Sequence, residues 1–190
     1  MNTQDVASIP LYEEIAEVSL VSYTQPAEEV ALSVETPEEL IAWCARVSNP
    51  ESRIANEGTT GLIKYLIKHK HWSPLEMVDA TALVKTARDI SHQMVRHVTF
   101  RPQEFSQRYS NLTEMGEGFC IREARFQDEK NRQNSISEGV SEALQAEWAR
   151  RQTAVINAAK EAYDWAISQN IAKECARVVL PEGNTTTSLF

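Results

Sequence analysis

The densest chemistry in this 190-residue chain is the run Arg96-His97-Val98-Thr99-Phe100-Arg101-Pro102-Gln103-Glu104-Phe105-Ser106-Gln107-Arg108-Tyr109. Three arginines, a histidine, a glutamate and a serine fall within one short stretch. Guanidinium groups take phosphates or carboxylates through paired N–H donors. A carboxylate and a hydroxyl beside them can meet the polar edge of a ring. The set suits a phosphorylated ligand that also carries hydrogen-bonding ring edges.

Such side chains need elements to aim them. Upstream, apolar Ile90, Met94 and Val95 interleave with polar Arg88, His92, Gln93 and Arg96, which predicts an amphipathic helix over residues 88–98. That helix would bring Gln93, Arg96 and His97 close together, because positions three and four apart share a face. Pro102 ends the helical option and imposes an extended continuation. In that continuation Glu104, Ser106 and Arg108 lie on one side and Phe105 on the other.

The remaining elements follow from punctuation and period. Thr36-Pro37-Glu38-Glu39 opens a helix with a capping residue, a first-turn proline and acids against the dipole. It should run to about Val47 and stop at Ser48-Asn49-Pro50. A second helix starts at Thr59 or Thr60, carries Leu62, Tyr65 and Leu66 on its apolar stripe, and ends in Lys68-His69-Lys70-His71. Basic residues there complement the helix's negative pole. Ser73-Pro74 is a turn, as is Gly116-Glu117-Gly118. Strands are expected over 18–24, 30–34, 76–86 and 119–124, with residues 1–16 irregular and 126–137 a loop. From Ser137 to about Gln169 apolar residues recur at helical spacing, and Asn170 breaks the pattern. A last helix, Ile171 to Val179, is stopped by Pro181 and Gly183. Together these predict one mixed α+β domain over residues 1–190.

Bulk composition narrows the function. Hydrophobic content of 42% and charged content of 24% are those of a soluble globular protein. A net charge of −8 argues against a general nucleic-acid binder, while the local arginine cluster leaves a small anion open. No apolar run reaches membrane-spanning length and no basic-then-apolar leader is visible, so a cytoplasmic protein without membrane partners is expected. Cys44, Cys120 and Cys175 are odd in number and widely spaced, without metal-like pairing. Buried thiols in a reducing compartment, and no metal, are the expectation.

The central run resembles the signature of flavin-dependent thymidylate synthases, Arg-His-Arg-x7-Ser. Arg96 and His97 match, seven residues from Thr99 to Phe105 intervene, and Ser106 closes the motif. The likeness extends through Glu104, Arg108 and Tyr109. Val98 stands where the family has its second arginine, leaving one cation fewer on the flavin side. Distant segments agree. His71-Trp72-Ser73-Pro74-Leu75-Glu76 resembles the family's His-x-(Ser/Thr)-Pro-x-Glu, and Ala45-Arg46-Val47-Ser48 its Ala-Arg-Val-Ser. Glu174-Cys175-Ala176-Arg177-Val178-Val179-Leu180-Pro181 resembles Glu-x-Ala-Arg-x-x-Leu-Pro, and Asp128 to Asn134 a loop of some members. The resemblance covers roughly residues 37–187.

The resemblance implies the family's α+β fold, a mixed sheet packed by helices with a long helical segment. It implies reductive methylation of dUMP to dTMP, with methylenetetrahydrofolate giving the carbon, NADPH reducing the flavin and FAD as cofactor. Gln93, Arg96, Glu104, Ser106, Arg108 and Arg177 would hold the nucleotide. Ser48, His71, Ser73, Arg96, His97, Val98 and Glu104 would face FAD. A homotetramer is implied. The family's ring-polarising arginine would fall beyond Phe190, so no catalytic residue is assigned within this chain. A C-terminal segment is expected to be missing or supplied by a second polypeptide. A conventional thymidylate synthase needs a nucleophilic cysteine, and only Cys175, near Lys173 and Arg177, has basic neighbours in sequence. Two other readings stay open: a dUMP- and FAD-binding relative without turnover of its own, and a nucleic-acid-binding module using Arg96, Arg101 and Arg108.

Overall fold

Thr36 starts the first helix by a reciprocal exchange. Its hydroxyl accepts the Glu39 N–H at 3.2 Å, and the Glu39 carboxylate accepts the Thr36 N–H at 3.2 Å. This capping box satisfies two backbone donors that the first helical turn cannot use. The computed structural model describes residues 11–12, 15–29, 34–48, 58–111 and 118–190. All but Val34 of the expected strand at 30–34, the stop at Asn49-Pro50 and most of the turn at 116–118 lie outside them. The chain forms two compact units: Ser19–Ala82, and the residues up to Val18 together with Leu83–Phe190.

In the unit of residues 19–82, helix α1 (Pro37–Ala45) runs into a 3-10 turn over Arg46–Ser48. Helix α2 (Thr59–Lys68) buries Leu66. Its end is a Schellman cap, with Lys70 N–H donating to Ile67 O and His71 N–H to Leu66 O, at 3.1 and 2.9 Å. Lys70 holds the left-handed position at φ 57°, which glycine usually fills. The expected strand at 76–86 is shorter at its start. Leu75–Met77 is a 3-10 turn and the strand begins at Ala80, because Pro74 and Leu75 continue a turn bonded to Trp72 O.

Strands β2 (Ala16–Tyr23) and β3 (Ala80–Ala87) run from one unit into the other. The sheet has the order β2-β3-β8-β4, where β4 is Gln103–Glu104 and β8 is Thr185–Leu189. Sequence reading assigned no element to Thr185–Leu189. It is nevertheless a central strand, antiparallel to β3 (Val84 opposite Ser188) and to β4 (Glu104 opposite Ser188). Thr185, Thr186 and Ser188 are buried, with the Thr185 hydroxyl accepting Gly118 N–H at 2.7 Å.

Helix α3 (Arg88–Val95) is three residues shorter than expected. Arg96 N–H bonds Gln93 O and His97 N–H bonds Met94 O, so the last turn tightens into i→i−3 bonding. Residues 119–124 form only the short strand β5 (Phe119–Cys120), paired in parallel with β1 (Leu11–Tyr12), so the first sixteen residues are not wholly irregular. Beyond Cys120, side chains of helix α4 (Glu142–Ser168) replace a strand partner. Gln152 accepts from Arg122 N–H and Gln145 from Ala124 N–H, at 2.9 and 2.7 Å. The polar segment 126–137 is a hairpin, β6 (Phe126–Gln127) against β7 (Ser135–Ile136). Asp128 braces its tip by accepting Lys130 N–H, Asn131 N–H and the Asn134 amide.

The segment read as one long helix or two stacked ones is a single helix, α4, which starts at Glu142 after the Ser141 cap rather than at Ser137, and Asn170, at φ 60°, lies just past its end. The expected last helix is short, α5 (Lys173–Ala176) followed by a 3-10 turn over Arg177–Val179. Phe119 and Ile156 form one core cluster with Phe105, Ile121 and Leu180 against it. Tyr163, Ala166 and Ala176 form another beside Ile167 and Leu180. Packing between α4 and the α5 segment thus fixes where Glu174 and Arg177 stand.

Candidate functional site

Register of β8 places the polar groups at one end of the sheet. Because Glu104 lies opposite Ser188 and α3 follows β3 directly, buried Ser91 meets both. Its hydroxyl donates to Glu104 Oε1 at 3.2 Å and lies 3.3 Å from the Ser188 hydroxyl. Glu104 Oε2 is 3.7 Å from Arg88 Nη1. Arg88 Nη2 is 2.9 Å from His92 Nε2, and His92 Nδ1 is 3.3 Å from Glu182. One chain of polar contacts therefore runs from Glu182 through His92 and Arg88 to Glu104.

The alternation expected for Glu104, Ser106 and Arg108 stops early. Strand β4 ends at Glu104, and Ser106 opens a turn in which its carbonyl accepts Tyr109 N–H at 3.1 Å. The Ser106 hydroxyl accepts Arg108 N–H at 3.4 Å, the habit of a short hydroxyl side chain in a turn. Glu104 and Arg108 are consequently held by different partners. Arg108 reaches α5, with Nε 3.2 Å and Nη2 3.1 Å from Glu174 Oε2. Next to it, Lys173 Nζ donates to Tyr109 O at 3.0 Å. Phe105, on the opposite side as expected, packs into the core.

A cavity of about 390 Å³ opens here, lined by Arg88, Gln107, Glu174, Arg177, Glu182 and Asn184. Arg177 has no ion-pair partner among the described residues. Gln107 is buried and its Nε2 has no hydrogen-bond partner among the described residues. A buried donor without a partner costs about 1–3 kcal/mol. An acceptor oxygen entering the cavity would relieve that cost and face a free guanidinium.

Of the residues assigned from sequence to the nucleotide, Arg177 alone lines this cavity; Glu104, Ser106 and Arg108 do not, and the remaining assigned residues of this unit also stand apart from it. Gln93 and Arg96 are exposed at the end of α3. The His97 ring lies 5.6 Å from Phe100, whose ring lies 5.6 Å from Phe190. Val98 is 87% exposed, and its carbonyl accepts Arg101 Nη1 at 3.2 Å.

In the unit of residues 19–82 a second cavity, about 560 Å³, is lined by Arg46, Ser48, Tyr65, His71, Ser73 and Pro74. Ser48, His71 and Ser73, assigned together from sequence, come together here. The Schellman cap turns His71 back toward α2, leaving its ring 6.1 Å from Tyr65 and 6.1 Å from His69. Tyr65 and His69 lie 4.3 Å apart. Rings for stacking, a guanidinium and two hydroxyls fit a flat ring system carrying polar edges and phosphates.

Sequence reading missed Arg88, Gln107, Glu174 and Glu182 as lining residues, and Arg46 and Tyr65 in the second cavity. Arg46 and Glu174 stood inside the matched motifs and could have been carried over. No period or spacing marks Gln107. Of the three free cysteines, Cys120 is buried as expected, Cys44 is partly buried, and Cys175 is exposed, contrary to expectation, because it sits on the solvent side of the short helix α5. None of them lines either cavity.

A four-stranded sheet whose β3–β8 and β8–β4 pairs are antiparallel, one long helix and two polar cavities make up the framework of the described residues. The chain matches the crystal structure of a UMP/dUMP methylase, PolB from Streptomyces cacaoi bound with 5-Br dUMP, with a TM-score of 0.75 and 25% identity. The match covers 95% of this chain and 74% of that one. Residues 20–190 match the family described as thymidylate synthase complementing protein. A probable flavin-dependent thymidylate synthase of Paramecium bursaria Chlorella virus 1 is 48% identical over 168 residues, 88% of this chain and 74% of its own length. The flavin-dependent thymidylate synthase of Synechocystis sp. is 43% identical over 176 residues, 92% of this chain and 77% of its own. The chain belongs to the flavin-dependent thymidylate synthase family.

Proposed function

We propose that this chain catalyses the flavin-dependent reductive methylation of dUMP to dTMP, with FAD as the flavin, methylenetetrahydrofolate as carbon donor and NADPH as reductant. The observation that carries the reading is the meeting of Arg177 and the Gln107 amide in one cavity, beside the turn that holds Ser106 and Arg108. Arg108 and Arg177 bind the nucleotide phosphate, each through charge-assisted N–H donors. Ser106, Gln93 and Arg96 complete the nucleotide contacts. Ser91 and Arg88 hold Glu104 in a fixed orientation, so its carboxylate faces the ligands without having to be ordered on binding.

FAD, when bound, supplies the hydride chemistry, and the protein's part is to hold and orient the reactants. Arg46, Ser48, His71 and Ser73 are the residues of the 19–82 unit that would hold it, and Arg96, His97, Val98 and Glu104 are the residues of the signature assigned to it by the family resemblance. The chemistry needs no protein nucleophile, which agrees with cysteines that line neither cavity. We assign the protein to a homotetramer on the exposed apolar side chains that such an assembly would cover, among them Val18, Leu20, Val155 and Trp165. We also place this nucleotide chemistry in the cytoplasm. No helix among the described residues is long and apolar enough to cross a membrane.

The test is release of tritium from dUMP labelled at C5, with FAD, NADPH and methylenetetrahydrofolate present. Release that requires all three supports the reading. Binding of dUMP and FAD without release would instead make the protein a binding relative without turnover. A colourless protein that binds single-stranded DNA would overturn the reading altogether.

A further inference from the structure

Glu174 occupies the guanidinium that the proposed nucleotide site needs. Two N–H groups of Arg108 converge on Glu174 Oε2, at 3.2 and 3.1 Å. The carboxylate also lines the cavity that contains Arg177, three residues further along the same segment. Glu174 therefore pairs with one of the two cations assigned to the phosphate and shares a cavity lining with the other. Counting the cavity walls, Arg88 and Arg177 are balanced by Glu174 and Glu182, so the lining attracts no anion by net charge alone.

The pair is built to be exchanged. Both side chains are about half exposed, at 56% and 52%. Exposed ion pairs of this kind are weak, because water screens them and two long side chains must be ordered. A phosphate dianion offers the same guanidinium more charge and more acceptor oxygens, and it would engage Arg177 as well. The backbone beside the pair need not move, because Lys173 Nζ independently holds the Tyr109 carbonyl to α5.

We propose that Glu174 is a specificity-determining residue: its carboxylate holds Arg108 as a stand-in for the nucleotide's phosphate, and only a ligand bearing a phosphate displaces it. This rests on the assignment of Arg108 and Arg177 to the dUMP phosphate. A nucleoside without the phosphate gains nothing from Arg108, since it cannot replace the carboxylate. Glu174 thereby sets the discrimination between nucleotide and nucleoside, and it does so by competing for the phosphate's partner.

The experiment is calorimetric titration of the whole protein with dUMP and, separately, with deoxyuridine, for the wild type, Glu174→Gln and Glu174→Ala. Removing the competing charge should tighten dUMP about two- to fivefold in both variants, the size of a screened surface pair. Deoxyuridine affinity should stay unchanged. Unchanged or weaker dUMP binding in folded variants would overturn the proposal, as would equal changes for both ligands. A wild-type protein that binds neither ligand would overturn the nucleotide assignment itself, and the inference with it. Melting temperatures of the variants confirm folding, and the alanine variant separates loss of charge from any new amide contact.

Discussion

Ser91 donates its hydroxyl to Glu104 across thirteen residues of sequence, at 3.2 Å, inside a part of the protein where Ser91 is wholly buried. A helix that begins directly after β3 delivers the hydroxyl, and the β4–β8 register delivers the carboxylate. Ser91→Ala removes a bond to a charged group and leaves the Ser188 hydroxyl without its neighbour. The expected cost is about 1.5–3 kcal/mol of stability. Urea unfolding measures it. A cost near zero would mean that Glu104 is held by Arg88 alone.

Val98 leaves an open position beside Arg101, whose guanidinium already bonds the Val98 carbonyl. Val98→Arg places a second cation at an exposed point of the signature. FAD should bind tighter by about 1 kcal/mol, the size of an added charge-assisted contact in partial solvent. Flavin fluorescence titration is the check. Equal or weaker binding would show that Arg101 already fills the role of the missing arginine.

Lys70 sits at φ 57° in the cap that positions His71. A side chain in the left-handed region costs roughly 1–2 kcal/mol relative to glycine. Lys70→Gly should therefore stabilise the protein, less the added freedom of the unfolded chain, for a net gain of about 0.5–1 kcal/mol. Thermal unfolding should show a higher midpoint. A lower midpoint would mean that the lysine side chain makes a stabilising contact of its own.

Two carboxylates titrate low. The Asn134 amide, followed by the Lys130 and Asn131 N–H groups, pulls Asp128 below 3.8. Arg150, with help from Arg151, pulls Glu147 down to about 2. Both folded-state values lie below the unfolded ones, so each contribution is present above the unfolded pKa and is lost as pH falls through the folded value. The Asp128 hairpin should hold its Lys130 and Asn131 amide shifts down to pH values below 3.8, as followed by NMR. Asp128→Ala should abolish those shifts at every pH.

Much of this was legible in the sequence where one local rule decided the outcome. The Thr36 helix start and the stop at Asn170 are local and formed as read, while α4 kept its helical period but begins at Glu142 rather than Ser137. Ser48, His71 and Ser73 met in one cavity because short motifs carried them. The failures share a physical cause, which is tertiary contact overriding local pattern. Thr185–Leu189 carries no apolar alternation, yet the Thr185 and Ser188 hydroxyls find partners in Gly118 and Ser91, so a polar strand can be buried. Residues 121–124 read as strand, but Gln145 and Gln152 of α4 satisfy the backbone instead. Arg108 read as a neighbour of Glu104, and Glu174, sixty-six residues away, captured it.

The central claim is that Arg108 and Arg177 hold the phosphate of dUMP. It is tested most directly by calorimetric titration of dUMP into the wild type, Arg108→Ala and Arg177→Ala. Each variant should lose roughly 2–4 kcal/mol of binding free energy, because a charge-assisted contact goes and a phosphate oxygen is left unpaired. Unchanged dUMP affinity in folded variants would contradict the account.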